Sequence, residues 1–327
     1  MSASGQATIA DDIAALAPSR PLRIATRSSE LALWQAHKVQ SELAARGLTS
    51  ELVTYMTIGD RTLDRPLNEI GSKGLFTAEL EADLIAGRVD CCVHSLKDLP
   101  TADPTGLTVV ARLERADARD ALVLAPGVAA TTVGDLPPNA RVGTSSLRRR
   151  ALLLALRPDL EVVELRGNVP TRVRKVMEGQ VQAAVLAAAG LLRLELGAHI
   201  AAYLDPPVWL PAAGQGAVAV QVRADDAAMV AIFGSLDDAR TTRAVSAERA
   251  FLGALEGGCQ VPIGAWTAWD AAGGPVVHGF IGHPSGAPVL RGELPMGDDP
   301  AAAGRALAEV LRERGAESIL AGLRTGA

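Results

Sequence analysis

The chain has 327 residues, 48% of them hydrophobic, enough for two or three domains with ordinary cores. A net charge of −5 and an aromatic content of 3% exclude a general nucleic-acid binder, which needs a basic face and rings for base stacking. Three cysteines, two of them adjacent at Cys91 and Cys92, make neither a disulfide framework nor a CxxC metal pair, which points to a reducing cytosol.

Residues 1–20 lack a basic start and a long apolar run and read as a disordered extension; no later run reaches the roughly 18 apolar residues of a membrane span. From residue 21, LRIAT, ELALWQAHKVQSELAARG, ELVTYMTI, KGLFTAELEADLIAG and VDCCVHS alternate strand and helix in βαβ fashion. In the first helix Ala32, Ala36, Val39 and Leu43 recur at helical spacing, Ser28 or Ser29 caps the start and Gly47 ends it. In the second, Phe76, Leu80 and Leu84 form the inner stripe.

After ERADARD the alternation resumes with ALVLAP, RVGT, SSLRRRALLLALRP, LEVVELRG, PTRVRKVMEG and QAAVLAAA, a second α/β unit. The strand GAVAVQV, placed after DPPVWLPAAGQG, is expected to return to the first sheet, so that two chain crossings form a hinge. From about residue 240 a helix, three strands separated by Gly-rich turns and the helix AAAGRALAEVLRERG indicate a small antiparallel α+β domain. The expected domains are therefore 21–115 with 215–236, then 119–211, then 240–327.

The charged motifs of both α/β units fall just past strand ends: Arg27 and Ser29 after LRIAT, Lys97 and Asp98 after VDCCVHS, Thr144 to Ser146 after RVG, Arg166 after VVEL. Ligands of open α/β sheets bind there because the following helices aim their N-terminal amides at that end. The implied ligand is an anion. VGTSSLRRR brings Arg148 and Arg149, and RGNVPTRVRK brings Arg166 and Arg172; several guanidinium forks suit a ligand with several carboxylates, although phosphate fits the same pattern. Arg150, Arg174 and Lys175 read as a solvated helix face. GSKGLF and GQGAVA fail the P-loop and dinucleotide fingerprints, and His37, His94, His199, His278 and His283 show no metal-ligand spacing, so no metal is expected.

Two residues stand out chemically. Asp98 is the one carboxylate in this basic company: either a plain Lys-Asp pair or helix cap, or a charge that stabilises a cation formed in a reaction and moves a proton. Cys259 follows the helix AERAFLGALE and the stop made by Gly257 and Gly258. It is either a small buried apolar residue or a thiol held at a fixed exit to carry a group.

Taken together, RIATRSSELALWQAH, GSKGLFTAELE, VHSLKDLP, VGTSSLRRR, LRGNVPTR, PAAGQGA and AERAFLGALEGGCQVPIG resemble the porphobilinogen deaminase (hydroxymethylbilane synthase) family, in its order, from about residue 21 to the C-terminus. The resemblance implies two periplasmic-binding-protein-like α/β domains with the active site between them, plus a third domain. It implies a transferase that condenses four porphobilinogen molecules head to tail into a linear tetrapyrrole, releasing ammonia, on a dipyrromethane cofactor joined through a thioether to Cys259. Asp98 takes the place of the catalytic carboxylate. Lys97, Asp98, Thr144, Ser146, Arg148, Arg149, Arg172, Lys73 and Asp60 correspond to cofactor contacts, and Arg27, Ser29, Gln35, Arg166 and Arg193 to substrate contacts. Ile58, Glu69 and Pro170 depart from the family pattern; Pro170 suits the first turn of a helix. A cytosolic monomer is expected. The rival readings are a non-catalytic two-lobed binding protein for an anionic metabolite, which leaves Cys259 and Asp98 without a task, and a phosphate-ester transferase.

Overall fold

The computed structural model describes residues 16, 18–57, 59, 77–255, 261–269 and 274–324. Its chain divides into two compact units, Met1–Arg115 with Ala217–Thr242, and Ala116–Gly216 with Arg243–Ala327.

In the first unit Leu22–Arg27 (β1) pairs in parallel with Ser50–Tyr55 (β2) and with Cys91–Ser95 (β3). The late strand returns as its sequence suggested: Val218–Arg223 (β10) lies antiparallel between β3 and the edge strand Leu107–Arg112 (β4), giving the order β2-β1-β3-β10-β4. Side chains alternate across this sheet. Leu22, Ile24, Cys91 and Val93 meet Ala36, Val39 and Leu43 of Glu30–Ala44 (α1) and Ile232 and Phe233 of Ala227–Gly234 (α6). Ala25 and Cys92 face the other way, under Leu80 and Leu84 of Ala78–Ile85 (α2). The two thiols thus sit on opposite faces, and burial raises the pKa of each.

The second unit repeats the pattern. Glu161–Val163 (β7) and Ala183–Ala187 (β8) flank Arg141–Gly143 (β6) in parallel, and Asp120–Leu124 (β5) runs antiparallel to β8 and to Ala202–Leu204 (β9). The order is β7-β6-β8-β5-β9. Leu147–Leu156 (α3) buries Ala151, Leu152 and Leu153 on one face; Val169–Met177 (α4) and Ala188–Arg193 (α5) bury Val173, Val176, Ala188 and Leu191 on the other.

Beyond the helix Ala239–Ala254 (α7), strands Ile263–Trp269 (β11), Pro275–Gly282 (β12) and Val289–Pro295 (β13) form an antiparallel meander backed by Pro300–Glu313 (α8) and Ala316–Arg324 (α9). Phe280 of β12 is fully buried in the core that α3 covers, so the small sheet and the second five-stranded sheet share packing. The segments read from sequence as second and third domains therefore pack as one unit.

Candidate active site

The first unit gathers Arg27, Ser29, Gln35, Thr77, His94 and Asp98 around a cleft of about 80 Å³ at the carboxyl ends of β1 and β3. Local geometry explains the gathering. Ser29 adopts extended backbone at the N-cap of α1 and accepts the Ala32 N–H at 3.4 Å, which places Arg27 and Ser29 at the strand exit. One turn into that helix Gln35, 2% exposed, donates to Ser95 Oγ at 2.8 Å across to β3. After β3 the chain enters a single 3₁₀ turn, Leu96–Asp98, tied by the Leu96 N–H to the Ala217 carbonyl at 3.0 Å. That turn brings Asp98 to the cleft; Lys97 is half-buried beside it.

His94 is a buried neutral group in the cleft wall. Burial, and to a lesser degree the Arg27 charge, bring its pKa down to about 4, although the Gln221 hydrogen bond opposes the shift. Gln221 donates to Glu81 at 3.3 Å, which turns its carbonyl oxygen towards His94 Nε2 at 3.1 Å and selects the Nε2–H tautomer.

In the second unit Ser146 caps α3, accepting the Arg149 N–H, and its own N–H donates to Thr144 Oγ1 at 3.2 Å. Arg148 and Arg149, 3% and 6% exposed, converge on Asp120, which is fully buried. Arg148 Nη1 reaches one carboxylate oxygen at 2.8 Å and Arg149 Nη2 the other at 2.7 Å; Trp209 Nε1 and Gln215 Nε2 each add a bond of 2.8 Å. Against this desolvation the two guanidiniums hold the Asp120 carboxyl well below the usual range. One carboxylate for two guanidiniums leaves an excess positive charge out of water, and Arg149 Nε is buried with no acceptor. The surplus positive charge attracts a further anion, the property an acidic cofactor requires.

Arg166 lies 3.6 Å from Glu164, Arg172 Nε donates to the Gly167 carbonyl at 2.7 Å, and Arg193 Nη2 to the Gly216 carbonyl at 2.7 Å, with burial bringing the Arg193 pKa down to about 10. Pro170 sits in the first turn of α4, whose cap is Asn168, as its lost amide permits. Arg174 is exposed, as expected of a solvated face, but Arg150 donates to the Val162 carbonyl and Lys175 to the Arg166 carbonyl, so those two brace backbone instead. Asp120, Trp209 and Gln215 escaped the sequence reading. The only signal was an acid opening the apolar run DALVLAP. Cys259, Asp60 and Lys73, together with Ile58 and Glu69, lie outside the described residues.

Two α/β units of one strand pattern, each presenting cations and hydroxyls at strand ends, define an enzyme or carrier of a small multiply charged anion, and Asp98 beside the Arg27 cleft favours the enzyme. Comparison with known proteins narrows this. Residues 22–231 match the model "Porphobilinogen deaminase, dipyromethane cofactor binding domain" and residues 242–313 match "Porphobilinogen deaminase, C-terminal domain". The chain is 48% identical over 303 residues to the porphobilinogen deaminase of Roseiflexus castenholzii and equally to that of Roseiflexus sp. strain RS-1, covering 92% of this chain and 99% of each relative. It is 47% identical to that of Xanthomonas euvesicatoria over 305 residues, with the same coverage. The chain belongs to the porphobilinogen deaminase family. The looser likeness to a solved methionine-binding protein, MetQ, at 16% identity over 66% of this chain and 89% of that one with a TM-score of 0.40, adds nothing to the strand order already described. Membership sets aside the non-catalytic binding protein and the phosphate-ester transferase. Among the described residues, no helix is long and apolar enough to cross a membrane.

Proposed function

We propose that this chain condenses four molecules of porphobilinogen head to tail into hydroxymethylbilane, with Asp98 as the catalytic carboxylate and Cys259 as the attachment point of the dipyrromethane cofactor. The observation that carries the reading is the placement of Asp98 in one cleft with Arg27 and Ser29. In each condensation the C–N bond of the substrate's aminomethyl group breaks and ammonia leaves. A C–C bond then forms to the acceptor pyrrole's α-carbon, which loses its proton. Loss of ammonia leaves a methylene-pyrrole cation, and the Asp98 carboxylate stabilises it electrostatically and takes the α-proton afterwards. The dipyrromethane, when bound through its thioether, would supply the first such α-carbon, and one water cleaving the bond between the primer and the finished tetrapyrrole would provide the hydroxyl of hydroxymethylbilane and return the primer's α-hydrogen.

Every pyrrole carries an acetate and a propionate. In the first unit Arg27, Ser29 and Gln35 serve the incoming substrate and Lys97 the cofactor. In the second, Thr144, Ser146, Arg148, Arg149 and Arg172 serve the cofactor, and Arg166 and Arg193 the substrate. Support for the cofactor assignments comes from the buried Arg148–Arg149 pair, whose charge one carboxylate only half offsets. Lys73 and Asp60 are assigned to the cofactor on motif position alone. The protein acts as a cytosolic monomer.

Intact mass tests the reading. Protein from a producing host should exceed its sequence mass by two pyrrole units, Cys259→Ala should lose that excess, and porphobilinogen should add further units stepwise. Asp98→Asn should keep the excess and lose nearly all turnover. Wild-type protein at its bare sequence mass would overturn the assignment of Cys259, and near-normal turnover in Asp98→Asn that of the carboxylate.

A further inference from the structure

We infer that Thr77 is a specificity-determining contact for the substrate: its hydroxyl donates a hydrogen bond to a carboxylate oxygen of the incoming pyrrole in the cleft of Arg27 and Asp98. The inference rests on the proposed condensation of porphobilinogen. Thr77 lines that cleft, is 3% exposed, and its Oγ1 has no hydrogen-bond partner. Buried hydroxyls are nearly always satisfied, because leaving one dry forfeits its hydration with nothing in return. Thr77 also holds the N-cap position of α2, where a threonine hydroxyl ordinarily accepts a helix amide; at φ −129° and ψ −25° it accepts none. Neither capping nor packing calls for the oxygen. A valine would fill the same volume without stranding a polar atom.

The surroundings identify the missing partner. The other neutral polar groups of the wall are already engaged: Ser29 Oγ with the Ala32 N–H, Ser95 Oγ with Gln35, and His94 Nε2 with Gln221. The charged lining is divided between the Arg27 cation and the Asp98 carboxylate. A pyrrole bearing an ammonium and two carboxylates matches that division, the ammonium towards Asp98 and a carboxylate towards Arg27. A carboxylate oxygen accepts several hydrogen bonds, so it takes the Thr77 O–H in addition to the guanidinium.

The test uses holoenzyme carrying Thr77→Val and Thr77→Ser. Thr77→Val should retain the full cofactor mass and melt at or above the wild-type temperature, since it removes an unsatisfied group. It should raise KM for porphobilinogen about three- to tenfold with kcat nearly unchanged, the loss of one hydrogen bond to a charged ligand. Thr77→Ser should restore the wild-type KM. A purely structural hydroxyl would instead lower the melting temperature and leave KM alone. An unchanged KM in Thr77→Val, a fall in kcat at constant KM, or a raised KM that serine does not restore overturns the contact. Should the valine variant fail to fold, Thr77→Ala against Thr77→Ser decides on the same KM criterion. Wild-type protein without turnover of porphobilinogen overturns the underlying function as well, which separates the two failures.

Discussion

Asp120 shows how a single buried charge organises its surroundings. Its two oxygens take four bonds, two from guanidiniums, one from the Trp209 indole and one from the Gln215 amide. Replacing it by Asn removes the carboxylate that pairs with both Arg148 and Arg149 while keeping the volume. Removing one member of a buried ion pair costs about 3–5 kcal/mol. Asp120→Asn should lose about that much in denaturant unfolding, whereas a loss under about 1 kcal/mol would show that the pair is not desolvated. His94 gives a second test. Its folded-state pKa of about 4 lies below the roughly 6.5 of an unfolded histidine, so the native state holds fewer protons there. The stability it contributes is complete above about pH 6.5 and is lost as pH falls towards 4, roughly 3 kcal/mol in all. His94→Gln should therefore show a shallower fall in stability across that window than the wild type. An equal slope in both proteins would mean that His94 is protonated in the fold.

At the scale of elements, α7 and α8 approach so closely that a Cβ built on Gly304 would run into the Ala247 carbonyl oxygen. Backbone cannot yield as a flexible side-chain tip can. Alanine raises helix propensity, yet Gly304→Ala should destabilise the protein by at least about 2 kcal/mol, because the overpacking outweighs the roughly 1 kcal/mol that propensity offers. Thermal unfolding checks this, and a stabilised variant would show that the two helices separate easily. At Gly143 the neighbour is a side chain instead: a Cβ there would lie 2.8 Å from Leu165 Cδ2, at the strand end that leads to Thr144 and Ser146.

For the whole molecule the decisive quantity is where charge sits, not how much there is. A chain of net charge −5 concentrates cations at the carboxyl ends of strands and leaves one buried cluster with excess positive charge. A group bound only by the native state stabilises it, and an acidic group meeting that charge does so strongly. Protein that has lost its cofactor through Cys259→Ala should melt at least about 4 °C below the loaded wild type. Equal melting would separate the buried guanidiniums from cofactor binding.

By itself the sequence determined the alternation of strand and helix, the return of GAVAVQV to the first sheet and the positions of Arg27, Ser29, Lys97 and Asp98 at strand exits, because hydrophobic period and capping are local and every such residue is read from its neighbours. Four elements were not read from it, β4, β9, α6 and α9, although β4 is as long as β1 and α9 as long as α4. The tertiary structure alone decided that the small sheet shares a core with the second α/β sheet, that Asp120 joins Arg148, Arg149, Trp209 and Gln215 across up to 95 residues of chain, and that Thr77 is left with a dry hydroxyl in the cleft. Those facts depend on which groups lose water and which partners reach them, and both are set only when distant segments pack.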